Sequence, residues 1–225
     1  MKYFFKGKMK EDAGSYCIAL PFNVWEVNKK REHISATLMV DNNIINCELT
    51  PANQDGSYVI RLTSDDVKNI DVKEEHNFLI EVSGSLIRMN QNSPYSLENP
   101  IRKIDDIDII IQPIDGTCGQ TVVAMLAGNT IAEVCSEMGC REWQATMGHV
   151  ISALNYYGID HSHVIVFTEG KETTLPRCAI LMEKMGRFCH YLLYFKGKYY
   201  DPNDGIFEEY DTSKLLGYLE IRLGE

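Results

Sequence analysis

The order of hydrophobic patterns in this 225-residue sequence predicts an α+β chain with an all-β region at its N-terminal end. Two observations carry the prediction. Short alternating segments separated by turn residues fill residues 1–83, which is typical of a small barrel or sandwich. From residue 108 onward, segments with helical spacing come first and strand-like segments follow. That order is typical of a domain in which helices pack on an antiparallel sheet.

The N-terminal region, residues 1–83, is predicted to be a small β-barrel or sandwich domain. Turn-forming residues at Asp41–Asn43 and Pro51–Gly56 separate neighbouring hydrophobic segments. Thr63–Asp66 carries the hydroxyl and carboxylate groups that cap the start of a helix, and it predicts a helix there. Strands are predicted at residues 3–8, 15–20, 33–40, 44–50, 57–62 and 77–82.

The composition changes after this region, and residues 84–107 are predicted to be a linker. Polar and turn-forming side chains dominate Asn90–Pro94, and hydrophobic periodicity is weak. The predicted organisation is therefore a β-rich domain at 1–83, a linker at 84–107 and an α+β domain at 108–225.

In the α+β domain, helix signals precede the strands. Cys118–Ala127 is a compact apolar segment followed by Gly128, a typical helix C-cap. Thr130–Glu133 matches a capping box and begins a second helix. Apolar side chains recur at helical spacing across Met147–Tyr157, which predicts a third helix. Strands are predicted at residues 163–167, 178–183, 188–195, 198–201 and 218–223.

Composition and charge exclude several classes of protein. Hydrophobic residues at 44% and charged residues at 24% are ordinary values for a soluble globular chain. The net charge of −10 argues against a nucleic-acid or anionic-membrane partner, because either binds to a basic surface. The sequence has neither an apolar run that would span a bilayer nor a signal peptide at Met1, so we expect a cytoplasmic location.

The seven cysteines fit a reducing compartment. Their odd number and the lack of a C-x-x-C pair argue against a disulfide framework and against a simple zinc site, so neither a metal nor a cofactor is expected. Most of these cysteines are predicted to be small buried hydrophobes. Cys118 differs from the others because it opens a predicted helix.

The segment around Cys118 predicts a nucleophile. Free N–H groups and the helix dipole at the start of a helix favour the thiolate form of a cysteine. Gly119 lets other groups approach the backbone closely beside the sulfur. Gln112, six residues upstream, can place its side-chain NH₂ near the same helix end. With the Cys118 backbone N–H it would form an oxyanion hole.

A second segment predicts a histidine–carboxylate pair. A β-hairpin with a two-residue turn at Lys196–Gly197 would place His190 and Asp201 on one sheet face as diagonal neighbours. At that separation a carboxylate can accept a hydrogen bond from the imidazole and hold its tautomer. Asn203 is the alternative orienting group.

Taken together, these motifs resemble the papain-like cysteine peptidases. They are most similar to the compact bacterial branch that contains the double-glycine leader, or bacteriocin-processing, peptidases, over roughly residues 108–223. The resemblance implies a papain-like fold with a nucleophile helix packed on an antiparallel sheet. It also implies roles for four residues: Cys118 as nucleophile, His190 as base, Asp201 as its orienting group and Gln112 in the oxyanion hole.

The resemblance implies a thiol hydrolase that cleaves a peptide or amide bond through a Cys-His-Asp triad and an acyl-enzyme. Two alternatives stay open: an acyl or peptidyl transferase that uses the same thioester chemistry, and a non-catalytic binding module. The expected partner is a peptide or amide substrate. The N-terminal region, with Ala19–Pro21 near its start, resembles a small uncharacterised bacterial β-barrel domain, which implies no activity.

Overall fold

The chain is rich in strand. Of the residues that the structure describes, 41% lie in strands and 16% in helices. In the described residues, none of the helices is both long enough and apolar enough to cross a membrane. The computed structural model describes these parts of the chain: residues 1–12, 14–22, 33–52, 57–82, 92–140, 145–186 and 188–224.

The six strands predicted in the N-terminal region are all present, with slightly different ends. Hydrophobic alternation explains them: in the strand that begins at Ile34, every second side chain is buried. A further strand, Lys10–Asp12, consists of three exposed residues and carries no such pattern, so it was missed. The strands of this region are β1 (Lys2–Lys8), β2 (Lys10–Asp12), β3 (Ser15–Ala19), β4 (Ile34–Val40), β5 (Asn43–Pro51), β6 (Tyr58–Leu62) and β7 (Glu75–Val82).

The helix predicted at Thr63–Asp66 is wrong, because residues 64–69 form turns. The Asp66 carboxylate accepts hydrogen bonds from the Thr63 backbone N–H at 2.8 Å and from the Thr63 hydroxyl at 2.7 Å. The side chains that would cap a helix therefore close a local turn instead.

The three helices predicted after residue 108 are confirmed. Gly128 ends the first in the left-handed conformation, with φ of 68°. The capping box of Thr130 and Glu133 begins the second, and a box of Thr146 and His149, which the sequence did not suggest, begins the third. The elements are α1 (Cys118–Ala127), α2 (Ile131–Met138), α3 (Met147–Tyr156), β8 (His161–Phe167), β9 (Cys178–Met185), β10 (Phe188–Phe195), β11 (Lys198–Asp201), β12 (Gly205–Phe207) and β13 (Leu215–Ile221).

The arrangement of the strands contradicts the predicted fold class. Within the described ranges they form a mixed 13-stranded sheet in the order β12-β11-β10-β9-β13-β8-β1-β7-β4-β5-β6-β3-β2. The prediction of a papain-like α+β fold preceded by a separate small all-β barrel is therefore wrong. The reason lies in β1, which pairs with β7 on one side and in parallel with β8 on the other. The backbone N–H and C=O groups along both edges of β1 therefore find their hydrogen-bond partners in β7 and β8, and no barrel closure is needed to pair them.

The chain folds into two compact units. The first comprises Met1–Leu86 and His163–Glu169, and the second comprises Ile87–Ser162 and Gly170–Glu225. Most of β8 belongs to the first unit, because Lys2 pairs with Val164. The predicted boundaries at 1–83, 84–107 and 108–225 stay a prediction. Residues 84–91 of the predicted linker lie outside the described part of the chain, and residues 92–107 form neither helix nor strand.

Inside the second unit, α1 is the central element. Every residue of Cys118–Ala127 is buried, and the helix packs against α2, α3 and strand β10. A helix that is buried on all sides needs partners on all sides. This packing fixes the position of the helix start relative to the strand that carries His190.

Candidate active site

The nucleophile candidate Cys118 is the first residue of α1. The N-cap residue Thr117 does not cap the helix with its side chain, because its hydroxyl donates to the Ile114 carbonyl oxygen at 2.8 Å. The first turn of the helix contains no acidic residue. The partial positive charge of the helix end therefore acts on the Cys118 sulfur without a competing side-chain anion from this turn.

Gly119 explains how the helix start comes close to the rest of the second unit. A Cβ at this position would lie 2.9 Å from the Ala145 Cβ and 3.2 Å from the Tyr191 Cδ2. Both distances are too short for a side chain to fit without displacing its neighbours. The glycine after the nucleophile therefore allows α1 to approach Tyr191, the residue that follows His190 on β10.

The predicted histidine–carboxylate pair is present. Phe195 pairs with Lys198 across the turn, which is the register of a two-residue hairpin. His190 on β10 donates from Nε2 to Asp201 Oδ1 at 2.9 Å, and both side chains are buried. Asp201 is the last residue of β11. The structure therefore joins His190 to Asp201 by the geometry that the hairpin predicts.

Burial by itself lowers the pKa of His190, but hydrogen bonds with Asp201 and Cys118 and the charges of both residues more than offset this, and the pKa rises to about 10. Cys118 therefore lies close enough to His190 to act on its imidazole, on which Asp201 acts as well. Because Nε2 is engaged by the carboxylate, Nδ1 is the ring nitrogen left for the thiol. The arrangement favours the imidazolium form of His190.

Asp201 is held as a carboxylate. Burial by itself raises its pKa, but the hydrogen bond from His190 and the backbone N–H groups of Asn203 and Asp204 hold the pKa below its usual value. The Asn203 N–H donates to Asp201 Oδ1 at 2.7 Å, the same oxygen that accepts from His190. The turn after β11 therefore fixes the carboxylate oxygen that orients the imidazole.

Gln112 is attached to that same turn. Its backbone N–H donates to the Pro202 carbonyl oxygen at 2.8 Å, and its side-chain Nε2 donates to Asn203 Oδ1. Gln112 Oε1 is buried and has no hydrogen-bond partner among the residues that the structure describes. Unsatisfied buried polar atoms are uncommon and concentrate where a protein has a chemical task.

Three of the four predicted site residues thus belong to one connected series of hydrogen bonds, and the fourth, Cys118, lies beside His190. The series runs from His190 through Asp201 to Asn203, and from Asn203 to Gln112. The side chain of Asn203, considered as an alternative partner of His190, bonds Gln112 instead. This bridging role was missed, because the loop before α1 and the turn after β11 lie 91 residues apart and share no periodic pattern.

The neighbours of His190 on the adjacent strand were not predicted from the sequence. Glu183 on β9 pairs directly with His190. The Tyr210 hydroxyl donates to Glu183 Oε2 at 3.0 Å. The available signal was Gly186 between two strand-like segments, because a short turn there sets the register of β9 and β10. Among the described residues, no group of three or more histidine, cysteine or acidic side chains is placed to hold a metal ion.

Comparison with known proteins gives no family to which the chain can be assigned. No protein-family model matches it, and no curated protein matches it. The functional reading of the site therefore rests on the geometry of its residues.

Asp201→Asn is expected to move the alkaline limb of the pH–activity profile to lower pH. His190 has a raised pKa, so its stabilised imidazolium is fully present below the ordinary pKa of about 6.5 and is lost as the pH rises through about 10. An amide removes the negative charge that supports the imidazolium, so that loss begins at lower pH. Turnover should also fall, by up to about 10⁴-fold.

The measurement for Asp201→Asn is kcat/KM between pH 6 and pH 10.5. Asp204→Asn is the matched control, because it removes a carboxylate from the same turn but leaves the acceptor of His190 in place. An alkaline limb that stays at the wild-type pH in Asp201→Asn would contradict the role of the carboxylate.

Proposed function

We propose that this protein is a cysteine-nucleophile hydrolase that cleaves a peptide or amide bond through an acyl-enzyme. The observation that carries the proposal is the hydrogen-bonded, buried pair of His190 and Asp201 beside Cys118, with the cysteine at the start of a buried helix. A thiolate, an adjacent imidazole and a group that orients the imidazole form the arrangement of an activated nucleophile. The proposal rests on this site and not on the overall fold.

In the first half of the reaction, the Cys118 sulfur attacks the carbonyl carbon of the substrate and the C–O π electrons move to oxygen. The oxyanion is stabilised by the Gln112 side chain and by the Cys118 backbone N–H at the helix start. The His190 imidazolium then donates its proton to the leaving amine nitrogen as the C–N bond breaks. The product of this half is a thioester on Cys118.

In the second half, neutral His190 takes a proton from water, and the resulting hydroxide attacks the thioester carbon. The C–S bond breaks, the acid product leaves, and the thiolate–imidazolium pair is restored. Asp201 holds Nε2 of His190 throughout, so the other ring nitrogen, Nδ1, serves both proton transfers.

The state of the cysteines supports a reducing, cytoplasmic location as part of the proposal. All seven are free thiols in the structure. A hydrolase that depends on a thiolate needs a compartment in which that thiol stays reduced.

A product analysis tests the proposed reaction. Peptides that differ in the residue on the acyl side are incubated with the protein, with and without an added amine, and the products are identified by mass. We expect acid products from the wild type and a thioester-linked adduct on Cys118 after rapid acid quenching. Amide products that form faster than acid products would replace the hydrolase by a transferase. Unchanged peptides and unmodified Cys118 throughout would favour a non-catalytic binding module.

A further inference from the structure

We infer that Asn203 is the positioning residue of the oxyanion hole and that it ties this hole to the His190–Asp201 pair. The inference rests on the proposed function. Asn203 contacts both sides of the site: its backbone N–H donates to Asp201 Oδ1, and its side-chain Oδ1 accepts from Gln112 Nε2. The proposed reaction does not otherwise give the Asn203 side chain a role.

The side-chain contact with Asn203 orients the amide of Gln112. A primary amide has two N–H groups on the same nitrogen. One of them is fixed by Asn203 Oδ1, so the plane of the amide and the direction of the second N–H are fixed as well. That second N–H is the donor available to a substrate oxyanion. Without Asn203, the Gln112 side chain rotates about its own bonds, and the donor is no longer preorganised.

The position of the Gln112 backbone is fixed as well. Its N–H donates to the Pro202 carbonyl oxygen at 2.8 Å, so the loop before α1 is bound to the turn that contains Asn203. Gln112 is thus held by two consecutive residues: its backbone bonds Pro202 and its side chain bonds Asn203. The β11–β12 turn is therefore a common support for the oxyanion donor and for the carboxylate that orients His190.

The two contacts of Asn203 can be separated by mutation. Its bond to Asp201 comes from the backbone, and it is retained when the side chain is shortened. Its bond to Gln112 comes from the side chain, and Asn203→Ala removes it. Asn203 is exposed, so the change leaves no cavity in the core. Asn203→Ala therefore tests the oxyanion side of the site and spares the histidine side.

The test is a double-mutant cycle of Asn203→Ala and Gln112→Ala, with Asn203→Asp as the conservative variant. Loss of an oxyanion donor lowers kcat by about 10²–10³-fold, and we expect Gln112→Ala to do so. Asn203→Ala should lower kcat by about tenfold or more with KM nearly unchanged. It should add less than about twofold when Gln112 is already alanine. Asn203→Asp keeps an acceptor for Gln112 Nε2 and should restore most of the lost kcat.

Alkylation of Cys118 by iodoacetamide separates this inference from the proposed function, because that reaction needs the thiolate but no oxyanion hole. The alkylation rate at pH 6 should be the same in Asn203→Ala and wild type. Wild-type kcat in Asn203→Ala, or an equal loss with and without Gln112, would overturn the inference alone. A wild-type protein with neither turnover nor selective alkylation of Cys118 would overturn the proposed function itself.

Discussion

Cys118→Ala is expected to abolish turnover of peptide and amide substrates, with kcat falling by about 10⁴-fold or more. The sulfur forms the covalent bond in the proposed reaction, and alanine offers no atom in its place. The helix, its dipole and the His190–Asp201 pair remain, so substrate binding should persist. The measurement is single-turnover product formation together with substrate affinity by calorimetry.

The matched control for this variant is Cys178→Ala. Cys178 is a buried cysteine of the same unit, and burial raises its pKa to about 12, which keeps it a neutral thiol at physiological pH. Its removal should leave kcat within about twofold of wild type while it lowers the unfolding temperature slightly. A Cys118→Ala protein that retains a tenth or more of the wild-type kcat would contradict the assignment of the nucleophile.

His190→Ala has the second largest expected effect. Without the imidazole, no group takes the proton of water or donates to the leaving amine, and kcat should fall by about 10³-fold or more. Alkylation of Cys118 at pH 6 should also slow by about tenfold or more, because the neighbouring imidazolium no longer stabilises the thiolate. The measurement is the alkylation rate as a function of pH, with turnover measured in parallel.

His161→Ala is the control for the loss of a buried histidine in the same unit. His161 is also buried, but its ring nitrogens face the Ser162 carbonyl oxygen and the Asn155 side chain. Its replacement should lower stability without a selective change in the alkylation of Cys118. Equal alkylation rates at pH 6 for His190→Ala and wild type would show that the imidazole does not activate the thiol.

Local chemistry explains why much of the second unit could be predicted from the sequence. Gly128 and the Thr130–Glu133 capping box mark helix ends within a few residues, and such signals act through short-range hydrogen bonds. The turn at Lys196–Gly197 fixes the register of β10 and β11, because only two residues join them. The His190–Asp201 contact follows from that register and needs no knowledge of the rest of the fold.

The sheet as a whole could not be predicted, because its decisive contact is far from local. Lys2 pairs with Val164, and no turn length or periodicity links the two positions. Alternating hydrophobicity shows that a segment is a strand but does not show which edge it joins. The strands predicted to form a barrel and those predicted to form an antiparallel sheet therefore belong to one mixed sheet, in which β1 lies next to β8.

The same limit applies within the site. The helix start predicts the position of Cys118, and the hairpin register predicts that His190 and Asp201 are neighbours. The contact between Gln112 and Asn203 depends on how the loop before α1 lies on the β11–β12 turn. Neither segment has a sequence pattern that sets this contact. The bond between Asn203 and Gln112 could therefore not be predicted, and the sequence offers Asn203 only as an alternative partner of His190.

The proposed function requires Cys118 to be the reactive thiol of this protein, and selective alkylation tests that requirement most directly. Cys118 and Cys135 are equally buried, at 6% and 7% exposure, so accessibility alone gives Cys118 no advantage. Burial raises the pKa of Cys135, and that of Cys47 to about 11, which makes both slow at acidic pH. The measurement is mass-spectrometric mapping of the native protein after limiting iodoacetamide at pH 6. We expect Cys118 to be labelled first among the seven cysteines; faster labelling of Cys135, Cys140 or Cys189 would contradict the claim.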